Sequence, residues 1–396
     1  MSSRAALRIV SIAHPAASSE AGRLRYRHLA AKANIDLHLV MPAVWKEFGR
    51  TIVAEPPRAD GFSVHVLPIR LPQAGPMKWY LHFYPALRRL LAEIDPDVIH
   101  LWEEPWSIVA LQAQLTRRRA AVVLEVDQNI LKRLPPPFEI IRRFVLARTD
   151  HILSRSLDAT SVVQARGYAG PVTPIGYGVD LATFVPNAEP VSTPRTRPLT
   201  IGYVGRLVEE KGLDDALEAI AHSAAPVVLD IMGEGPDEAR LRQRVGALGF
   251  GDRVTFRGWG PPQRVAAFLQ SLDALVLLTR TTNAVREQFG RVIIEAQACG
   301  IPVIGSTCGA IPDVVGDGGW IVPEHDPDSL RRLLEKLAAD PAALRAKASA
   351  ARANVLSRFT YDAVATAIET ACRAAASDRE ANRVKPLQPL GIGRPS

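Results

Sequence analysis

The stretch Glu287-Gln288-Phe289-Gly290-Arg291-Val292-Ile293-Ile294-Glu295 changes character at its midpoint. Residues 280–288 are polar, with Thr281, Thr282 and Asn283 among them, and follow the apolar run 274–278, which reads as a strand leading into a loop. From Gly290 onward Val292, Ile293 and Ala296 have helical spacing, and Gly300 stops the helix. Glu287 is therefore expected in a loop at a helix mouth, with Glu295 more than a turn inside the helix. Backbone N–H groups near Phe289, Gly290, Arg291 and Val292 are donors at the positive end of that helix, a setting that suits a phosphate. The two carboxylates suit sugar hydroxyls. An ordinary helix with one buried glutamate fits the same spacing, so the decision rests on the rest of the chain.

Outward from this stretch, strands and helices alternate in both halves. Apolar strand-like runs occur at 7–12, 35–40, 62–67, 98–101, 121–126 and 151–154, separated by helical stretches at 22–33, 80–93, 106–115, 138–147 and 157–166. The second half repeats the scheme, with strands at 199–204, 227–232, 253–257, 274–278 and 302–305 and helices from Leu213, Pro236, Pro262, Arg291 and Asp328. Such alternation predicts an α/β protein of two doubly wound, Rossmann-like domains with parallel sheets and a deep cleft between them. The expected division is a first domain over 1–185, a Pro/Thr/Ser-rich linker at 186–198, and a second domain over 199–358. A C-terminal helix at 359–376 is expected to cross back to the first domain, followed by a disordered tail at 377–396.

Composition narrows the class. The 396 residues are 47% hydrophobic with a mean hydropathy of +0.03 and no apolar run long enough for a membrane span. Three cysteines without a CxxC pair and the lack of a signal-peptide core lead to an expected cytoplasmic location. Residues 1–180 hold 23 Lys+Arg against 16 Asp+Glu, whereas 181–396 hold 25 of each. All the excess positive charge is thus in the first half. Solvated arginines on helix faces explain it, as does an anionic membrane surface or a phosphate-bearing acceptor. Residues 75–84 mix aromatics with basic neighbours and fit an interfacial helix or one packed beside the cleft. No nucleic-acid module accompanies the charge, so no nucleic-acid partner is expected.

The second half carries a series of strand-end motifs. Gly205-Arg206-Leu207 is followed by Glu210-Lys211-Gly212, and both cations can meet a diphosphate. Gly233-Glu234-Gly235-Pro236 is another turn, and Phe256-Arg257-Gly258-Trp259 offers Arg257 or Trp259 to a base. With the two glutamates, the run 298–304 (ACGIPVI) and the segment 176–180 (GYGVD), this ordered series resembles the retaining glycosyltransferases of the GT-B fold, family 4. The resemblance covers nearly the whole chain except the tail.

What the resemblance implies is a metal-independent transferase that moves a sugar from a nucleotide-sugar co-substrate to a glycan, lipid-linked or small acceptor, with no cofactor. Arg206 and Lys211 would hold the diphosphate, Glu287 the transferred sugar, and Glu295 the ribose. Gly205, Phe289, Gly290, Arg291 and Val292 would line the donor, and Arg257 and Trp259 would border its base. The Asp95/Asp97 and Asp326/Asp328 pairs read as structural. A sugar phosphorylase or disaccharide synthase, or a non-catalytic sugar-nucleotide-binding subunit, are the alternatives.

The first half departs from the family pattern. Where many members have a His-Glu-Pro string, this chain has His100-Leu101-Trp102-Glu103-Glu104-Pro105. Aligned on Glu104-Pro105, Glu103 takes the histidine's place as acceptor base or hydroxyl binder; aligned from His100, Trp102 does. The family's glycine-rich loop after the first strand is His14-Pro15-Ala16-Ala17-Ser18-Ser19 here. The run 127–129 (DQN) is expected to line the cleft without an assigned role.

Overall fold

In the computed structural model of the protein, residues 6–17, 22–47, 50–55, 61–71, 80–187 and 197–384 are described. Runs such as Val98–Trp102 and Ala121–Val126 are buried at every position, which only a sheet covered on both faces can satisfy. The first half supplies β1 (Leu7–Ala13), β2 (Ile35–Pro42), β3 (Val44–Glu47), β4 (Arg50–Val53), β5 (Ser63–Leu67), β6 (Val98–Trp102), β7 (Ala121–Val126), β8 (His151–Ser154) and β9 (Val172–Pro174). Seven of these form a parallel sheet in the order β5-β2-β1-β6-β7-β8-β9, while β3 and β4 make a separate antiparallel hairpin. The second half supplies β10 (Leu199–Val204), β11 (Val227–Met232), β12 (Val254–Phe256), β13 (Ala274–Leu277), β14 (Val303–Ser306) and β15 (Gly319–Val322), ordered β12-β11-β10-β13-β14-β15. In each sheet the order reverses beside the first strand, at β1/β6 and β10/β13, and crevices for ligands open at the carboxyl ends of strands there.

Helices α1 (Leu24–Ala30), α2 (Leu87–Ile94), α3 (Ile108–Thr116), α4 (Pro136–Leu146) and α5 (Leu157–Ala165) cover the first sheet. Ser107 and Ser156 cap α3 and α5 by accepting from the N–H groups of Ala110 and Ala159. Helices α6 (Leu213–Ala221), α7 (Glu238–Leu248), α8 (Pro262–Gln270), α9 (Arg291–Ala298), α10 (Ile311–Val315), α11 (Pro327–Ala339) and α12 (Pro341–Arg358) belong to the second. The last helix, α13 (Tyr361–Val384), returns to the first domain. Its Ile368, Ala371 and Cys372 are buried in one cluster with Ile9, Tyr26, Leu29 and Val123. The chain crosses between domains twice at adjacent points: the Val179 N–H donates to Phe359 O at 2.9 Å, and Val179 pairs with Thr360.

Two expectations need correction. Residues 80–86 are not helical: α2 starts only at Leu87, and Phe83 instead pairs with Arg70. Tyr84 and His82 are fully buried, so the described end of the aromatic segment packs inward; residues 75–79 lie outside the described residues. The tail expected from 377 is helical as far as Val384, because that turn is tied down: Arg379 donates to Arg119 O at 3.0 Å and reaches Asp150 Oδ1 at 3.1 Å. Residues 385–396, and 188–196 of the expected linker, lie outside the described residues. The β3–β4 hairpin was not expected.

Candidate active site

The loop after β10 and the loop before α9 meet at a carboxylate. Gly212 has φ +67°, and a Cβ there would stand 2.1 Å from Leu278 O, so the chain approaches the end of β13 more closely than any side chain allows. That contact delivers Lys211, whose Nζ lies 2.7 Å from Glu287 Oε2. Thr279, buried just past β13, donates its hydroxyl to the same oxygen at 2.9 Å. Gly290, at φ +76°, turns the loop into α9. Glu287 is therefore held in one orientation by a cation and a hydroxyl from two other segments.

Beside it a cavity of about 800 Å³ is lined by Gly205, Arg206, Gly233, Trp259 and, from the first-domain hairpin, Ile52. The two glycine turns are locked together: a Cβ on Gly233, at φ +150°, would lie 1.8 Å from Gly205 O. A second cavity of about 230 Å³ holds Lys211 and Glu287 opposite Gln128 and Asn129 of the first domain. Across it Asn129 Nδ2 donates to the carbonyls of Glu287 (2.9 Å) and Arg286 (3.3 Å). Arg286 also pairs with Asp158 at 3.2 Å. The Glu287 loop is thus gripped by the first domain.

The remaining candidates divide. Trp259 is half exposed at the rim of the large cavity. Arg257 is tied to Asp230 Oδ2 at 2.7 Å, which points its guanidinium along the edge strands. Phe289 is buried between Tyr177 and Phe359, with ring centroids 5.2 and 5.5 Å away, so its side chain is committed to packing at the crossing point. Val292 packs against the second-domain core. Arg291 is exposed with its guanidinium 5.5 Å from the Tyr177 ring, toward the crossing point. Glu295 is not among the residues lining either cavity; burial pushes its carboxyl up, against the pull of Arg291.

Glu103 is corrected. It follows β6, but its side chain is only 1% exposed, so it does not itself present a base or hydroxyl binder to a ligand. Burial raises its pKa, and the charges of His14 and His82 outweigh that and hold it at about 2. His14, 2.9 Å away and 20% exposed, is the outward-facing member. His100 lies inside β6, fully buried, 2.9 Å from Glu125. Glu125 in turn binds Arg25 and Arg155, both buried. Trp102 donates to Asp127 at 3.3 Å. Thr279 was missed as a neighbour of Glu287, while Asn129, expected at the cleft without an assigned role, holds the Glu287 loop.

Both Asp pairs have structural partners: Asp97 accepts from the Arg8 N–H, Asp95 pairs with Arg119, and Asp326 caps α11 by accepting from the Ser329 N–H. Among the described residues no three His, Cys, Asp or Glu side chains are grouped as metal ligands, and no helix is long and apolar enough to cross a membrane.

Two family models match the chain, Glycosyltransferase Family 4 over residues 26–183 and Glycosyl transferases group 1 over 186–354. A 2-deoxystreptamine N-acetyl-D-glucosaminyltransferase of Streptomyces fradiae is 33% identical over 186 residues, 45% of this chain and 43% of that protein. A D-inositol 3-phosphate glycosyltransferase of Mycolicibacterium gilvum is 32% identical over 254 residues, 59% of this chain and 54% of that protein. The chain spans about half the length of the curated relatives it matches. Among solved structures, sucrose-phosphate synthase from Thermosynechococcus elongatus superposes with a TM-score of 0.69 at 20% identity, over 94% of this chain and 100% of that one. The Anabaena protein HepE in complex with UDP does so with 0.67 at 18% identity, over 92% and 98%. Two facing Rossmann-like domains, each matched by its own half of the family's pair of models, place this chain among the group 1, family 4 glycosyltransferases of the GT-B fold.

Proposed function

We propose that the protein moves a sugar from a nucleotide-sugar donor onto a hydroxyl of a glycan, lipid-linked or small acceptor, with retention of configuration and without a metal. The observation that carries this is Glu287 fixed by Lys211 and Thr279, with Arg206 five residues before Lys211 on the wall of the large cavity. Breaking the bond from the anomeric carbon to the diphosphate builds positive charge on the sugar and negative charge on the leaving group. Arg206, Lys211 and the backbone donors at the start of α9 stabilise the second, and Glu287 binds the sugar as the first develops. The acceptor oxygen attacks on the leaving-group face as the diphosphate departs with the bonding pair, and its proton passes to a departing phosphate oxygen.

The UDP-bound neighbour makes uridine the first donor nucleotide to try, and the relatives' names make cyclitol and sugar acceptors the first to offer. The positive excess of the first 180 residues supports peripheral contact with an anionic membrane, which co-sedimentation with anionic liposomes at low salt tests. The deciding experiment is thermal melting with UDP, GDP, ADP, CDP and dTDP. A nucleotide at about 100 times its Kd stabilises by roughly 2.7 kcal/mol, several degrees in a domain of this size. One nucleotide that shifts the midpoint, together with transfer from its sugar conjugate, supports the reading; a flat panel removes it.

A further inference from the structure

Strand β7 ends at Val126, and the next three residues carry its end across to the second domain. Asn129, itself buried, donates through Nδ2 to the carbonyls of Glu287 and Arg286. One amide can aim at two carbonyls only where its own backbone is held. Two consecutive peptide groups before it supply that hold: the N–H groups of Asp127 and Gln128 both donate to Glu104 Oε1, at 3.0 and 2.9 Å. On the far side the Ile130 N–H donates to Gln128 Oε1 at 3.0 Å and closes the turn around Asn129. The Asp127 side chain is tied separately, to Arg155 at 2.8 Å, which leaves the peptide groups to Glu104.

Glu104 is poorly placed for stability. Burial and the charge of Asp127 push its carboxyl up to about 8, and its Oε2 is buried without a protein partner. What the carboxyl supplies is an acceptor for two peptide groups that an apolar side chain would leave unmet. Pro105, next in sequence, disfavours helical backbone at Glu104 and so restricts how the side chain is presented. Gln128 and Asn129 line the cavity that holds Lys211 and Glu287, whereas Glu104 lines a separate, mostly apolar pocket behind them with Trp106. Glu104 therefore reaches the site only through the turn.

We propose that Glu104 is the positioning residue of a clamp between the domains: it holds the peptide groups of residues 127 and 128, sets Asn129 against the carbonyls of Arg286 and Glu287, and thereby fixes how Glu287 is presented. Only the catalytic consequence of this clamp rests on the transferase reading above.

Hydrogen exchange by mass spectrometry on the full chain tests the clamp without reference to activity. The second-domain reporters are the Glu287 N–H, which donates to Cys308 Sγ, and the Ala310 N–H, which donates to Glu287 O. In Glu104→Leu both are expected to exchange roughly 3- to 10-fold faster, the worth of one lost hydrogen bond, along with residues 127–128. Glu104→Gln, which can still accept from both N–H groups, is expected to restore most of the protection. Asn129→Ala should speed the reporters and leave residues 127–128 slow, and Glu104→Leu added to it should not speed the reporters further. Unchanged exchange in β10 and β11 marks a folded variant. Should Glu104→Leu fail that criterion, the same comparison is made with Glu104→Ala, and Asn129→Ala reads the clamp from its other end. Reporters that stay slow in Asn129→Ala, or that speed up additively in the double variant, would overturn the proposal. In transfer from UDP-glucose to myo-inositol, Glu104→Leu is expected to lower kcat about tenfold with the donor KM nearly unchanged, and to add little to Asn129→Ala. A flat nucleotide panel with no transfer in the unsubstituted protein removes the transferase reading and leaves the clamp to be decided by exchange.

Discussion

Lys211 and Glu287, 76 positions apart in sequence, are joined at 2.7 Å, and both are only partly exposed. The contact sets how much charge the site offers an incoming diphosphate: Lys211 is already paired with a carboxylate, and a phosphate must compete with Glu287 for it.

Replacing Glu287 separates its two duties. Glu287→Ala is expected to lower kcat by roughly 100-fold or more, the scale of a lost electrostatic contact in a transition state. The nucleotide-dependent melting shift should persist or grow, because Lys211 is released toward the diphosphate. Steady-state kinetics beside a UDP melting series reads both, and unchanged turnover would refute the assigned role.

Asn129 reports on the grip between domains. Asn129→Ala removes donors to two carbonyls of the Glu287 loop, each worth about 0.5–1.5 kcal/mol net. Turnover should fall about tenfold, beyond a drop of a few degrees in the melting temperature. An effect confined to stability would mean that the contact does not govern how Glu287 is presented.

The glycine lock beneath the donor cavity has no slack. Gly233→Ala combines a positive φ with a clash against Gly205 O and should cost roughly 1–3 kcal/mol, the scale of local backbone strain. The nucleotide-dependent shift should be lost, since the displaced backbone carries Gly205 and Arg206. Retained nucleotide binding would show that the cavity tolerates the shift.

A fourth expectation concerns pH. Glu104 accepts from the N–H groups of Asp127 and Gln128 at 3.0 and 2.9 Å. Burial, then the charge of Asp127, push its carboxyl up to about 8. The folded-state pKa is raised, so this group's contribution is fully present below the unfolded value near 4.5 and is lost as pH rises toward 8. Glu103 works in the opposite sense, losing its contribution as pH falls from about 4.5 toward 2. Urea melts of Glu104→Gln should therefore be flatter than those of the unsubstituted protein between pH 5 and about 8. Parallel slopes would show that Glu104 is ionised throughout.

The alternation of apolar runs made both parallel sheets legible, because strands buried on both faces leave an uninterrupted hydrophobic signature. The loop-to-helix switch at Gly290 was legible for the same reason, as a change of period. The β3–β4 hairpin was not: its four-residue strands are too short to show a period, and Val44 and Val53 face solvent. Arg379 hid the last turns of α13, because a polar helix held by ion pairs has the composition of a tail. Glu103 could be placed at a strand end, but the neighbours that bury it, His14 and His82, come from other segments. Sequence spacing does not record such meetings, and Thr279 beneath Glu287 was invisible for the same reason.

The return of α13 has a consequence for biosynthesis. The first domain is interrupted: the entire second domain is inserted between Val179 and Thr360. Ile368, Ala371 and Cys372 fill space beside Ile9 and Tyr26, so part of the earliest strand's shelter is made almost 200 residues after the last strand of its own sheet. On a ribosome that adds roughly 5–20 residues per second, the nascent first domain must wait some ten to forty seconds with one apolar face bare. The second domain, continuous from β10 to α12, has no such delay, so the later half of the chain is the one equipped to complete its core first.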